Sequence, residues 1–461
     1  MGNALLQVCD SGQPVLSTDP WLKGTCYFGS WALDHALTES QIRSVTSSKF
    51  IWISHGHPDH LHLESLQLFP KDRRPQILLP NHYSSEIREF LESEGFAVQV
   101  LKFKEWTALT PGLRVMCLED MNQDSMLLIE AGDTLIINKN DAPLYGEEKF
   151  LRKLVSRYRE SYLLALCAMD ADMFNYIDER GKPLLPGVDA AKAAVVALTS
   201  QLCTFLKVKH FCCFSSQHVY IRQDSIWANP YRVTYPGMKK YWDSPTDLIE
   251  PFVTVNLENG AVTANYPSQE TDMSQITDSN GEDDWGEPMS QEDWRQLEEF
   301  VRKFKILESE VDFIGFTIAG ESRTFSMNGR TKPTSDKQRG INFIVPRRSL
   351  METVKYGYFD DLLIGNFMKT QLINMKLYPK FSPYLAKFGG SAKVYTRLQL
   401  MKFYFHYFRL SPVAYLRWKL QSLWLYTWRN RLRNALVSVG FSRLSREWQA
   451  GFRTIPEFPN R

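Results

Sequence analysis

The chain is predicted to open with an α/β unit, continue through a smaller α+β domain and end in a basic helical segment. Three observations predict this. Strand-like and helix-spaced runs alternate through the first half. One of those strands closes on a turn dense in histidine. After Ser268 the composition shifts to Ser, Asp, Glu, Gln and Gly, as at a domain boundary.

In chain order, Val15 to Trp21 reads as a strand ending in a turn, with Asp19 placed to cap or orient the neighbouring segment. Phe50-Ile51-Trp52-Ile53 is a short apolar, aromatic and β-branched run of the kind that forms a buried strand, and Ser54-His55-Gly56-His57-Pro58-Asp59-His60-Leu61-His62 comes directly after it. Four of the nine histidines lie in this turn. In His-x-His alternate residues can face the same way, and the turn brings Asp59 and His60 round a second point. Imidazole nitrogens with carboxylate oxygens suit Zn, Fe or Mn. A solvated polar turn is the plainer reading, and the density of histidine argues against it.

Beyond the turn, Leu61 to Leu68 has helical spacing, Gln76 to Leu79 reads as a strand, Ser84 to Leu91 as a helix and Val98 to Phe103 as a strand. Strands are expected at Leu113 to Leu118, Ser125 to Ile129 and Thr134 to Asn138, with Ala131-Gly132-Asp133 as a hairpin turn. A strand at Leu163 to Ala168, a helix at Ala190 to Leu206 capped by Asp189, and a strand at His210 to Phe214 lead to His218.

Lys+Arg 54 against Asp+Glu 52 leaves the 461-residue chain nearly neutral, so no nucleic-acid partner is expected. The seven cysteines are an odd number without a Cys-x-x-Cys pair, which favours buried thiols in a reducing compartment and a cytoplasmic location. The start lacks the basic and apolar regions of a secretory signal, and Leu6 stands where N-myristoylation prefers Ser or Thr.

The strand followed by His-x-His-x-Asp-His, with further ligand candidates after later strands, resembles the metallo-β-lactamase superfamily. Within it the likeness is to the metal-binding half of the CMP-N-acetylneuraminate hydroxylase family. It rests on Asp19-Pro20-Trp21-Leu22 and on Trp52-Ile53-Ser54-His55-Gly56-His57-Pro58-Asp59-His60-Leu61, and covers roughly residues 10 to 235. The resemblance implies an αββα sandwich with a one- or two-metal site at the strand ends. It also implies that His55 and His57 hold one metal, that Asp59 and His60 hold the other, that Asp141 bridges and that His218 is the last histidine ligand; Asp59 and Asp141 are the residues expected to serve catalysis. The third histidine of the family pattern is missing. Counting back from Asp141 without gaps puts Asp120 there, beside Glu119. Either the site has lost a ligand or a carboxylate has replaced an imidazole, and the second option hardens the site and favours iron or manganese over zinc. The β-hydroxylase of chloramphenicol biosynthesis is similar in having a Glu at this point of the fold and using two irons with O₂.

The boundaries expected are a metal-binding domain over 1–267, an acidic linker over 268–290, an accessory α+β domain over 291–390 and a basic aromatic segment over 391–461. A helix is expected from Gln291 to Leu307, strands at Val311 to Ile318, Arg323 to Met327 and Ile341 to Val345, a helix from Ser349 to Tyr356 and a turn at Asp360-Asp361. This part resembles a sterol-carrier-protein-like domain with an apolar groove; a domain that simply covers the catalytic sheet fits equally. From Tyr395 onward, Lys402, Arg409, Arg417, Lys419, Arg429, Arg431 and Arg433 lie among dense aromatics with almost no acids, which suits either docking on the protein itself or peripheral contact with an anionic membrane.

These residues support two enzymatic functions. The first is a monooxygenase or hydroxylase using two metal ions, iron by preference, on a small-molecule or sugar-nucleotide-like substrate. The sialate hydroxylases carry a Rieske domain whose Cys-x-His and Cys-x-x-His pairs this sequence lacks, so a separate electron-transfer protein is implied. The second is a Zn or Mn hydrolase of phosphodiesters or lactones. A third, non-enzymatic reading is a binding module with a decayed site. Asp170, Asp172, His62, His82, Tyr220, Arg222 and Asp224 are subsidiary candidates for lining or supporting the site.

Overall fold

Runs such as Ile51-Trp52-Ile53 and Leu163-Leu164-Ala165 are apolar on both faces, and strands of that kind need cover on both sides. In the computed structural model, which describes residues 2–121, 123–178, 180–265, 283–327, 338–375, 385, 390 and 392–423, they obtain it in a four-layer αββα sandwich. The first sheet runs Gln7–Asp10, Gln13–Thr18, Phe50–Trp52, Gln76–Leu79, Ala97–Val100, parallel except for its first hairpin. The second has seven strands in the order Asp247–Ile249, His210–Cys213, Glu160–Ala165, Thr134–Asn140, Ser125–Ala131, Leu113–Glu119, Trp106–Thr110, parallel at one end and antiparallel at the other.

Leu16, Trp52 and Leu78 of the first sheet meet Val115, Leu127, Ile129 and Leu164 of the second to form the central core. Helices Glu39–Thr46 and Glu86–Ser93 cover one outer face through Val45 and Leu91. Glu148–Val155 and Val188–Leu206 cover the other through Leu151, Leu154, Val196 and Cys203. A three-strand patch of Thr25–Cys26, Trp31–Leu33 and His218–Tyr220 closes the end where the strand termini gather.

Several expectations shift. The strand expected at Leu163 to Ala168 is Glu160–Ala165, in register Thr134↔Glu160 with its parallel neighbour; Leu166 then only donates its amide to the Asn140 carbonyl. The long helix starts earlier, with Gly187 at the cap position, and Asp189 instead accepts from the Tyr241 hydroxyl at 3.0 Å. His218 lies in a strand, paired with Leu33, not in a loop after one. Strand Trp106–Thr110 and helix Glu148–Val155 were not anticipated.

The second half builds its own core. Helix Gln291–Arg302, which ends before the expected Leu307 and passes into a 3₁₀ turn at Lys305–Ser309, begins with a capping box of Ser290 and Asp293. Trp294, Leu297 and Phe300 pack on a sheet ordered Glu321–Ser326, Phe313–Ile318, Gly340–Ile344, Lys369–Ile373. Of the expected linker, 268–282 lies outside the described residues; Asp283 and Met289, just after it, are buried. A helix, Phe359–Ile364, stands where Asp360-Asp361 suggested a turn; acids are favourable in a first helical turn, where the amides point out unpaired.

The last helices among the described residues are Arg397–Leu410 and Pro412–Leu423, and the basic residues Arg429, Arg431 and Arg433 lie outside the described residues. The first helix buries Phe403 and Tyr407 against Met121, Tyr83 and Tyr145 of the sandwich. Gly146 makes this approach feasible: at φ +88° it lies against the Ala414 backbone with no room for a Cβ, and its carbonyl accepts from Arg417 at 2.6 Å. The pair therefore docks on the protein, one of the two placements the sequence allowed.

Candidate metal centre

The turn after Trp52 is shaped by backbone bonds from His60 and Leu61 to the His57 carbonyl, at 3.0 and 2.8 Å. Gly56 fits between the two histidines because a Cβ there would meet Ile87 at 3.1 Å. Asp19, at φ +40°, folds its carboxylate over the turn: it accepts from the Ser54 amide at 2.7 Å and the Ser54 hydroxyl at 2.8 Å, and lies 3.1 Å from His60 Nδ1. A carboxylate on one imidazole nitrogen fixes the ring and aims the other nitrogen into the site. Asp19 thus orients His60, a partner 41 residues on that its place at the end of a strand did not reveal.

The donor atoms converge in two groups. His55, His57 and Asp124 form one; His55, His60 and Asp141 form the other, and within each group the ligand atoms lie within 4.8 Å of one another. In the first, His55 Nε2 is 2.9 Å from His57 Nδ1 and 4.0 Å from Asp124 Oδ1. In the second, His60 Nε2 lies 3.4 Å from Asp141 Oδ2; Asp59, an expected ligand that belongs to neither group, has its Oδ2 3.4 Å from the same nitrogen. Asp59 itself is held by Asn3, whose amide donates at 2.7 Å, and by the Tyr27 hydroxyl.

Packing so many acceptors round one ring has a clear electrostatic result. Burial alone would lower the His60 pKa, but Asp59, Asp141 and Asp19 outweigh it and raise the imidazole well above its ordinary value. Asp59 and Asp141 are correspondingly lowered by His60, against their own burial. The donor set itself, imidazole nitrogens with carboxylate oxygens, suits a metal ion.

His218 belongs to neither group but sits beside them, buried, with its ring stacked on Trp31 at 3.7 Å and 4°. Both of its ring nitrogens are buried without a hydrogen-bond partner among the described residues. Burial and the Arg232 charge lower its pKa to about 3, so it is a neutral imidazole. Leaving such a group unsatisfied is costly, and a metal beside the Asp59 and Asp141 carboxylates would satisfy it. The residues therefore fit a metal pair.

Glu119 and Asp120, the carboxylates expected to replace the missing histidine, join neither group. An ungapped count back from Asp141 assumes a regular connection, but the chain makes a tight turn here: the Gln123 amide bonds to the Asp120 carbonyl, the Asp120 amide to the Asp124 carbonyl, and Gln123 takes φ +61°. The turn carries Glu119 and Asp120 toward Tyr145 and Tyr407, where they line a narrow cavity under the C-terminal helices, and presents Asp124 to the histidines. Burial raises Glu119 to about 8, against a smaller opposing effect of the Asn81 backbone. The signal for Asp124 was present in its position just before a strand whose end faces the site.

Asp360 is the second unanticipated group. It comes from the accessory domain, and its Oδ2 lies 2.9 Å from His57 Nε2, the nitrogen opposite the one that faces His55. Desolvation raises the adjacent Asp361 to about 7, with Asp360 and Asp59 adding to it and His57 opposing.

The subsidiary candidates have structural partners. His62 caps helix Leu63–Leu66 by accepting from the Ser65 amide, and His82 Nε2 meets the Ser54 carbonyl at 3.2 Å. Arg222 pairs with Asp224 at 2.7 Å and with Asp283 at 2.8 Å, and Tyr220 packs edge-on against Trp31. Asp170 and Asp172 open the 3₁₀ turn Ala171–Asn175 and join neither donor group.

No family model matches the chain. It is 28% identical over 137 residues to the cytidine monophosphate-N-acetylneuraminic acid hydroxylase of Danio rerio, covering 28% of this chain and 23% of that protein, and 29% identical over 139 residues to that of Mus musculus, covering 28% and 24%. The match thus spans about a quarter of the length of those relatives. Among solved structures, the metallo-beta-lactamase fold protein YhfI of Bacillus subtilis aligns at 10% identity over 54% of this chain and 88% of its own, with TM-score 0.32. An isothiocyanate hydrolase from Delia radicum gut bacteria aligns at 15% over 57% and 97%, TM-score 0.35. CmlA, a diiron beta-hydroxylase from Streptomyces venezuelae, aligns at 14% over 52% and 46%, TM-score 0.32. The candidate His/Asp metal centre at the strand ends is described by this chain's own sheet order and donor groups.

Proposed function

We propose that the chain is a metal-dependent oxygenase that hydroxylates a small molecule at a two-metal centre, with iron preferred over zinc. One observation carries the reading: the first donor group is two imidazoles and one carboxylate, His55, His57 and Asp124, where an all-histidine set would suit zinc. Two histidines with one carboxylate is a ligand set shared by non-haem iron oxygenases and zinc hydrolases; the anionic oxygen donor stabilises oxidised iron, which is the ground for proposing iron. His60, Asp141 and Asp59 would hold the second ion, with His218 beside them. When bound, the irons supply the activation of O₂, and the reducing equivalents come from a separate electron-transfer protein.

The chain's own residues have definable tasks. Asp19 keeps His60 Nε2 turned inward. Tyr27 and Asn3 fix Asp59 so that its carboxylate does not swing out to water. Asp360 steadies His57 from the other domain. Trp31, stacked on His218, excludes water from that wall.

The test is metal analysis of protein purified without added metal, followed by oxygen uptake with a chemical reductant. Iron near two per chain, with reductant-dependent O₂ consumption, is expected. Stoichiometric zinc together with hydrolysis of a phosphodiester or lactone would overturn the oxygenase reading in favour of a hydrolase.

A further inference from the structure

The C-terminal helix pair has two faces. Phe403, Tyr407 and Ala414 are buried against the sandwich. The opposite face is apolar and uncovered. On helix Arg397–Leu410 it consists of Leu398, Met401 and Phe405, which are 63%, 68% and 59% exposed; on helix Pro412–Leu423 it consists of Val413, Leu416 and Leu420, at 69%, 52% and 67%. Both triads have the spacing i, i+3, i+7, so each forms one continuous stripe on its helix. Six large side chains in two stripes are more than the scatter of single apolar residues that any surface carries.

The charges around the stripes are of one sign. From Arg397 to Leu423 the sequence has no Asp or Glu. Lys402 and Arg409 are exposed and stand four residues after Leu398 and Phe405, on the same face, with exposed Arg397 at its edge. The other basic groups are spoken for: Arg417 donates to the Gly146 carbonyl, and Lys419 lies over the Tyr404 ring at 4.3 Å. A protein partner would offer apolar cover with no need for a uniformly cationic rim. An interface that is apolar at depth and anionic at its surface matches both features, and the aromatic and aliphatic side chains are those that insert at the headgroup boundary.

We propose that this face docks in the plane of an anionic lipid bilayer, with Leu398, Met401, Phe405, Val413, Leu416 and Leu420 entering the acyl boundary and Arg397, Lys402 and Arg409 at the headgroups. The attachment is peripheral, since no helix among the described residues is long and apolar enough to cross a membrane. It is independent of the metal centre's chemistry, because none of these residues belongs to either donor group.

Cosedimentation of the full chain with vesicles tests it, comparing phosphatidylcholine alone with phosphatidylcholine containing about 30% phosphatidylserine. Two variants isolate the face: Met401→Ser/Phe405→Ser/Leu416→Ser/Leu420→Ser removes the stripes, and Lys402→Glu/Arg409→Glu reverses the rim. All six positions are exposed, so unchanged circular dichroism and metal content are expected. Binding to the anionic vesicles should fall at least about tenfold in either variant and weaken with added salt. Absence of binding by the unmodified chain would overturn the proposal. So would undiminished binding by both variants, which would place the membrane contact in residues 424–461, or a dimer in solution that the stripe variant dissociates, which would make a second copy the occupant.

Discussion

At the scale of single residues, the chemistry turns on which carboxylate faces His55 and His57. Asp124→Asn keeps the shape and removes the anionic donor, so it should lower the metal bound per chain after dialysis. Asp120→Asn and Glu119→Gln should leave that content unchanged. Glu119 makes a separate, pH-dependent contribution. Its pKa is raised in the folded chain to about 8, so the folded state binds the proton more tightly than the unfolded chain; the resulting stability is full below the ordinary glutamate range and is lost as pH rises toward 8. Glu119→Gln, a permanent mimic of the neutral acid, should therefore gain stability over the parent as pH rises from about 5 to 8, measured as the difference in urea midpoints. Asp360→Ala leaves the ligands in place and removes the support of His57. A loss of about 10–100-fold in metal affinity by chelator competition is expected, with secondary structure unchanged.

At the scale of elements, Gly146 is the point on which the C-terminal pair rests. Any side chain there meets the Ala414 backbone and adopts an unfavourable positive φ, so Gly146→Ala should loosen both helices from the sandwich. Faster amide exchange over 397–423, with the sandwich protected as before, is the expected outcome. The elements also show what was legible in the sequence. Strands Phe50–Trp52 and Gln76–Leu79 and helix Glu86–Ser93 were readable because their apolar runs and turn residues agree locally; helix Glu39–Thr46 was not expected, and the helix expected at Leu61 to Leu68 is the single turn Leu63–Leu66. The parallel strand at Glu160–Ala165 was misplaced because its start is set by register with Thr134, a contact between distant residues. Helix Phe359–Ile364 read as a turn because two adjacent acids are common in loops; Phe359, Leu362 and Leu363 pack it into the core of the second half, which places Asp360 at His57. Asp124 escaped for a similar reason, since a counted spacing cannot register a tight turn.

At the scale of the molecule, the second half of the chain reaches the candidate centre through Asp360. Arg222 is buried and joins both halves, pairing with Asp224 and Asp283 and lying over the Phe367 ring at 3.8 Å, while Asp283 accepts from Ser349. Trp31, whose ring covers His218, donates to Asn366 at 3.2 Å. The second domain thus holds the wall of the metal site in place. Arg222→Met leaves two acids without their cation and should cost about 3–5 kcal/mol in denaturant unfolding. The carboxylate in the first donor group is what the iron proposal rests on. Elemental analysis with Mössbauer spectroscopy, on protein expressed in iron-57 medium and purified without added metal, tests that most directly. The expected result is a coupled pair of irons in the parent and one iron or none in Asp124→Asn; stoichiometric zinc, or an iron pair undisturbed by that substitution, would contradict it.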